Sequence, residues 1–185
     1  KNEAGASTGM TRVPFTTGTC NVSQVSNITQ DWGTSGPSGC NTDGFTGYYV
    51  GYIKAPFTGT VTFRNRSDDG LVLNIQGENV LLNMADQAPA AVGSYNSTGD
   101  INMVAGEIYR IEAWHHENAS GSSASLEWLY SGQTQIAVPA EYLATDPSVF
   151  AGTCPLGVAA RCAAGNAYEI KLATGTNMDG QYWID

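Results

Sequence analysis

Short apolar segments, separated by turns and polar loops, run through most of the chain and constrain its fold more than any other feature. Residues 45–55 and 124–130 show the clearest alternation of apolar and polar side chains, and residues 101–104 and 108–114 continue the series. Alternate side chains of a strand point to opposite faces, so such segments bury one face and leave the other in solvent. No convincing amphipathic helix accompanies them. The pattern predicts an all-β chain, an antiparallel sandwich or barrel with little helix.

Length and composition limit the classes of protein to which the chain can belong. Its 185 residues suffice for one sizeable domain, and we expect that domain over 1–150, followed by a cysteine-containing segment over 151–185 that starts a further domain. The net charge of −9 argues against nucleic acid as a partner, because binding phosphates requires a basic surface. No apolar run approaches the roughly 18 residues of a membrane span, so we expect no membrane insertion. The chain is expected to be part of a larger, secreted or cell-surface protein.

Four cysteines, Cys20, Cys40, Cys154 and Cys162, flank a cysteine-free middle. Their even number predicts two disulfides and an oxidising compartment, with three connectivities open. The short loop between Cys154 and Cys162 can close locally, which would leave Cys20 with Cys40. A zinc site is the weaker alternative, because no Cys-x-x-Cys spacing occurs and the histidines lie far away.

Two adjacent carboxylates, Asp68 and Asp69, interrupt the strand pattern and are followed by Gly70. Neighbouring negative charges repel unless a cation or strong hydrogen-bond donors lie against them. Calcium suits such a pair, since it takes about 6–8 hard oxygen ligands. A tight hairpin turn is the alternative, because Asp-Gly between apolar segments is a strong turn signal. The residues alone leave both open.

Signals for catalysis are weak. The adjacent His115 and His116 would point to opposite faces of a strand, so they cannot easily bind one ion. Paired carboxylates also occur in glycosidases, but the aromatic groove and the acid of raised pKa that such enzymes use are not visible. We therefore predict no enzymatic activity. Glycosylation sequons occur at Asn21, Asn27, Asn65, Asn96 and Asn118.

The order of several motifs resembles the protective-antigen-like module, a β-sandwich found in toxins, glycosidases and adhesins. The resemblance covers roughly residues 10–145 and rests on Asp31-Trp32-Gly33, Phe45, Gly51-Tyr52-Ile53-Lys54-Ala55-Pro56, Gly59-Thr60-Val61-Thr62-Phe63, Ser67-Asp68-Asp69-Gly70, Ala105-Gly106, Glu117-Asn118 and Leu126-Glu127-Trp128. In the lectin branch, which includes yeast flocculins and bacterial biofilm adhesins, a cis peptide joins the paired aspartates and they hold Ca²⁺. A later loop supplies a further side chain and backbone carbonyls, and two sugar hydroxyls complete the shell.

Carried over residue by residue, the resemblance implies a Ca²⁺ site and a sugar site that overlap. The implied metal ligands are Asp68, Asp69, Glu117, Asn118, Ala119 and Gly121. The implied carbohydrate-binding residues are Asp68, Asp69, Tyr95, His116, Asn118 and Ser120, with Tyr95 or His116 supporting one ring face. The sequence departs from the yeast lectins at Glu117, where they have asparagine. In that branch the cysteines crosslink the two ends of the module.

The function implied by the resemblance is Ca²⁺-dependent carbohydrate binding by an adhesin, with cell-surface glycans or small sugars as partners. The alternative is a non-catalytic accessory module of a larger secreted enzyme, in which the aspartates are structural. The tail from Cys162 to Ile184 resembles the opening of a fibrinogen-like domain.

Overall fold

The computed structural model describes the backbone of residues 19–153 and 168–174 and the side chains of residues 25–150. The strands are β1 (Thr19–Val25), β2 (Thr29–Gly33), β3 (Phe45–Lys54), β4 (Gly59–Asp68), β5 (Leu71–Ile75), β6 (Glu78–Asn83), β7 (Ser97–Met103), β8 (Ile108–Glu117), β9 (Ser122–Tyr130), β10 (Ile136–Ala137), β11 (Leu143–Ala144) and β12 (Tyr168–Thr174). Two short 3₁₀ helices, Ala140–Tyr142 and Pro147–Thr153, are the only helical elements in these ranges.

The strands form two antiparallel sheets. The seven-stranded sheet has the order β1-β12-β3-β8-β5-β6, with β11 also paired to β3. The five-stranded sheet has the order β10-β9-β4-β7, with β2 also paired to β9. The predicted all-β antiparallel sandwich is confirmed. Strand β12, which lies in the segment expected to begin a further domain, pairs with both β1 and β3 and so belongs to the first sheet.

One apolar core joins the inner faces of the two sheets. Tyr49 and Ile53 of β3, Phe63 of β4 and Trp128 of β9 are each no more than 1% exposed, and they form part of one cluster. Burial alternates residue by residue along β3, β4 and β9, as the sequence pattern predicts. Burying such side chains is the main favourable contribution to folding.

The crossing between β4 and β5 brings Asp68 and Asp69 to one end of the sandwich. Strand β4 lies in the five-stranded sheet and β5 in the seven-stranded sheet, so the chain changes sheets at this point. The hairpin alternative for Asp68-Asp69-Gly70 is therefore wrong. Strand β8 also runs on to Glu117, opposite Phe45, and ends beside the same crossing.

Two expectations fall wholly or partly outside the described residues. Cys40 is disulfide-bonded. The side chains of Cys20, Cys154 and Cys162 lie outside the described residues, so which cysteines pair stays a prediction. The tail that resembles a fibrinogen-like opening lies outside them except for the backbone of β12. Within the described part of the chain, no helix has the length and apolar character needed to cross a membrane.

Candidate metal and ligand site

Three carboxylates meet where β4 and β8 end. One oxygen from each of Asp68, Asp69 and Glu117 lies within 4.8 Å of the others. Asp69 and Glu117 are buried, and Asp68 is partly exposed, so the cluster opens to solvent on one side. The peptide bond between Asp68 and Asp69 is cis. The structure thus brings together the three side chains that the sequence resemblance assigned to one ion.

Glycines at the two ends of the cluster allow a close approach of the backbone. A Cβ on Gly70 would lie 2.6 Å from the Cα of Met84 and 2.7 Å from the carbonyl oxygen of Asn83. A Cβ on Gly121 would lie 2.9 Å from an oxygen of Asp68. Any side chain at position 121 would therefore press on a carboxylate of the cluster. Gly70 likewise leaves room for the start of the loop that follows β6.

Glu117 is the least satisfied member of the cluster. Its side chain is 1% exposed, and neither carboxylate oxygen has a hydrogen-bond partner among the described residues. Burial raises the pKa of Glu117 to about 8, and the charges of Asp69, Asp68 and Asp43 add to the rise, while the nearby Ser122 hydroxyl opposes it. Burial, followed by the charge of Asp69, also raises the pKa of Asp68. An unpartnered buried carboxylate beside two others is the arrangement that a hard cation satisfies, so the residues fit calcium.

Asp69 is fixed by two backbone donors. The N–H of Gln87 donates to Oδ1 at 2.7 Å, and the N–H of Asn118 donates to Oδ2 at 2.7 Å. The amide side chain of Gln87 also donates to the Asp69 carbonyl at 3.3 Å. Charge-assisted bonds of this kind orient a carboxylate strongly. Asp69 is thus held from both sides, by the loop after β6 and by the loop after β8.

His115 and His116 have different surroundings, as expected for adjacent strand residues. His115 is fully buried, packs on Trp32 and Phe45, and donates through Nε2 to the carbonyl of Asp68 at 2.8 Å. Burial lowers the pKa of His115 to about 4. His116 instead reaches the outer side of the site, where its Nε2 lies 2.9 Å from Oδ1 of Asp86. The prediction that the two rings do not share one ion therefore agrees with the geometry.

The remaining residues assigned by the resemblance lie at different distances from the cluster. Asn118, Ala119 and Ser120 are exposed in the loop between β8 and β9, and Ser120 has a φ of 86° while its N–H donates to Asp43 at 2.9 Å. Tyr95 is placed elsewhere. The guanidinium of Arg64 lies 4.3 Å from the centre of the Tyr95 ring. Arg64 is four residues before Asp68 on β4, or about 13 Å along the strand.

Asp86 and Gln87 are residues of the site that the sequence did not reveal. Asp86 accepts hydrogen bonds from His116 and from the side-chain amide of Asn118, the latter at 3.1 Å. With Asp69 and His116 it forms a second group whose ligand atoms lie within 4.8 Å of one another. Asp86 is the single acidic residue between positions 83 and 99, which is the only signal that could have identified it.

Two of the glycosylation sequons have structural roles instead. The side chain of Asn65 is buried and bonded to Ser67 and Ser97. The side chain of Asn96 accepts from Ser67 and Ala90 and donates to the Ala88 carbonyl. Neither amide nitrogen faces solvent freely.

Comparison with known proteins places the fold. A family model described as the PA14 domain matches residues 7–142. No curated protein matches the chain.

Several solved structures resemble the fold. Two anti-sigma factor domain-containing proteins, one of them from Clostridium clariflavum, superpose with TM-scores of 0.58 and 0.59 at 22% identity. The match covers 64% of this chain and 39% and 40% of theirs, so the chain spans about two fifths of their length. The Epithelial Adhesin 6 A domain from Candida glabrata, solved in complex with Galb1-3GlcNAc, gives a TM-score of 0.47 at 18% identity over 63% of this chain and 64% of that one. At these identities, the two superpositions above 0.5 show the fold alone.

Proposed function

The chain belongs to the PA14 domain family, and we propose that it is a calcium-dependent carbohydrate-binding module of a secreted or cell-surface protein. The observation that supports this most directly is the buried carboxylate of Glu117, which has no hydrogen-bond partner among the residues that the structure describes and lies against Asp68 and Asp69. A bound cation would balance the charge of these three carboxylates and satisfy Glu117. The oxygen-only donor set favours calcium over softer metals.

Each residue has a distinct part in this proposal. Asp68, Asp69 and Glu117 supply side-chain oxygens, and the loop after β8 supplies the backbone carbonyls of Ala119 and Gly121 and the side-chain amide oxygen of Asn118. The backbone donors on Asp69 keep its carboxylate aimed at the cluster. A bound calcium ion would supply open coordination positions for a pair of neighbouring sugar hydroxyls.

The sugar is held at the solvent-exposed side of the cluster, next to Asn118, Ser120 and His116. A single monosaccharide makes few contacts on such an open surface, so its dissociation constant should be about millimolar, or ~4 kcal/mol. Adhesion to cell-surface glycans then depends on many copies acting together. His116 supports a ring by its edge, since it is 12% exposed and bonded to Asp86. Tyr95, near the end of the loop after β6, stacks on Arg64 and is a less suitable platform than His116.

Calorimetry of three matched variants tests the ion site. Asp69→Asn and Glu117→Gln keep the shape of the side chains but remove charge, and both should lower calcium affinity at least tenfold, equivalent to about 1.4 kcal/mol. Asp100→Asn removes the same charge from an exposed residue of β7 and should leave calcium binding unchanged. If Asp69→Asn and Glu117→Gln both bind calcium as tightly as the wild type, the proposed set of ion ligands is wrong. Loss in Asp69→Asn alone shows that Glu117 is not a ligand.

Glycan-array binding distinguishes the proposal from an accessory module with a structural ion. If the chain is a calcium-dependent carbohydrate-binding module, glycan binding on the array should appear with calcium and disappear when a chelator is added. Calcium binding without any glycan signal supports the accessory module of a larger secreted enzyme.

A further inference from the structure

Asp86 forms an outer wall of the site that the proposed ion ligands do not include. It is 53% exposed, and its two oxygens accept from His116 at 2.9 Å and from the Asn118 amide at 3.1 Å. These bonds fix the carboxylate while lone pairs remain turned to solvent. One of its oxygens lies within 4.8 Å of an oxygen of Asp69, which itself belongs to the ion cluster. A sugar ring that reaches the cluster therefore also reaches Asp86.

Charge at this end of the sandwich is strongly one-sided. Five carboxylates lie in or beside the site, namely Asp43, Asp68, Asp69, Asp86 and Glu117. A divalent cation offsets two of these five charges and leaves three. Arg66, two residues before Asp68, is the basic residue closest to the cluster in sequence, and its guanidinium donates to the Ala90 carbonyl at 3.0 Å. The titratable groups that face Asp86 are His116 and Asp69.

The other described basic residues lie farther away. Arg64 stacks on Tyr95, Arg110 pairs with Glu112 at 2.9 Å, and Lys54 ends β3 at the opposite end from Phe45. No described basic side chain besides Arg66 thus lies near the excess negative charge. A ligand that brings a positive charge gains from this field, and a ligand that brings a negative charge is repelled.

We propose that Asp86 is a specificity-determining residue that makes the site prefer sugars carrying a free amine over the uncharged parent sugar, and reject sugars carrying a carboxylate or sulfate. The inference rests on the proposed function, whose ion site has its own support in the unpartnered Glu117. A hydrogen bond between an ammonium group and a carboxylate is roughly twice as strong as one between neutral groups. A hydroxyl at the same position donates to Asp86 without that charge. An N-acetyl group removes the charge and adds bulk.

The experiment compares sugars that share one ring and differ in one substituent. Calcium-loaded protein is titrated with galactosamine, galactose and galacturonic acid, and the gluco and manno series are titrated in the same way. In the series that binds, we expect the amine to bind about tenfold tighter than the parent sugar and the acid to bind more weakly than either. Asp86→Asn should remove the amine preference. Asp100→Asn, which makes the same change in net charge outside the site, should keep it.

Nuclear magnetic resonance gives a second readout that does not depend on affinity. The side-chain amide of Asn118 and the ring of His116 both contact Asp86, so in the wild type their signals should shift differently with the amine sugar than with the parent sugar, and this difference should disappear in Asp86→Asn. If parent sugars bind but the amine is not preferred, or if Asp86→Asn keeps the preference, the inference is overturned and the proposed function stands. If no sugar of any series binds with calcium, the proposed function fails and the inference fails with it.

Discussion

Buried polar groups without partners occur both at the site and in the core, and their surroundings separate the two cases. Glu117 faces two other carboxylates at an opening, where an ion can satisfy it. The hydroxyl of Tyr49 is enclosed in the sandwich core with no partner among the described residues, and burial raises its pKa. The first arrangement fits a ligand. The second is only a cost to stability, since a buried donor without a partner loses its hydration.

Replacing Tyr49 with phenylalanine should stabilise the fold. The ring stays in place and the unsatisfied hydroxyl is removed, so the free energy of unfolding should rise by about 1 kcal/mol, or ~2–4 °C in Tm. The matched control is Tyr48→Phe, because the hydroxyl of Tyr48 donates to the buried carboxylate of Glu112. That control should destabilise the protein. Thermal melting of both variants decides the matter, and a lower Tm in Tyr49→Phe contradicts the prediction.

For individual residues, the sequence revealed the site members that are adjacent in the chain or that match a known family pattern. Asp68 and Asp69 were visible because two neighbouring carboxylates repel, and Glu117 followed from the resemblance. Asp86 was missed because it lies in a loop of ordinary composition and acquires its neighbours only through folding. Its contacts with His116 and Asn118 join residues about 30 positions apart.

Residues 84–96, the loop between β6 and β7, act as one element that closes over Asp69. Asn96 anchors its end, since its side-chain oxygen accepts from Ser67 at 2.9 Å and from Ala90 at 3.0 Å, and its amide donates to Ala88 at 3.1 Å. At the other end, Gln87 bonds Asp69 directly. The loop therefore has a fixed shape although it has no secondary structure of its own.

Asn96→Ala should loosen this loop without unfolding the sheets. Three hydrogen bonds are lost, each worth roughly 0.5–1.5 kcal/mol, so protease should cut within 84–95 while circular dichroism still shows strand. Calcium affinity should fall because Gln87 no longer holds Asp69 in place. Asn102→Ala removes one bond to Thr60 on an exposed part of β7 and should change neither readout. Unaltered proteolysis of Asn96→Ala is the result that speaks against an anchoring role.

The strands themselves were predictable because alternation is a local property of the sequence. Strands β3 and β9 match the predicted segments closely. The change of sheet between β4 and β5 was not predictable, because Asp-Gly between apolar segments also suits a hairpin. Whether the chain forms a hairpin or changes sheets depends on the partners of the two strands. Strand β4 pairs with β7 and β9, and β5 pairs with β6 and β8. Those pairings are contacts between distant parts of the chain.

For the whole molecule, folding forces the carboxylate cluster together, and stability should therefore depend on pH and on calcium. The pKa of Glu117 is about 8 in the fold against its ordinary value of 4.5, so between these values the folded chain holds a proton that the unfolded chain releases. Stability without calcium then rises as pH falls from 8. His115 acts in the opposite sense, because its pKa falls from 6.5 to about 4, and stability is lost as pH falls through that interval.

Measuring stability from pH 8.5 to 4.5 in the presence of a chelator separates the effect of Glu117 from that of His115. From pH 8.5 down to 6.5 only Glu117 changes, and the free energy of unfolding should rise by at most about 1.4 kcal/mol for each pH unit within its titration range. Below pH 6.5, His115 opposes the rise and Tm should level off. In Glu117→Gln, the free energy of unfolding should not rise between pH 8.5 and 6.5. Below pH 6.5 it should fall, because His115 still takes up its proton on unfolding. With calcium at 100 times its dissociation constant, the ion adds about 2.7 kcal/mol and holds Glu117 deprotonated, so the rise toward pH 6.5 should disappear. Thermal melts across this range measure all three curves, and a wild-type Tm that is flat between pH 8.5 and 6.5 in chelator contradicts the assignment of a shifted pKa to Glu117.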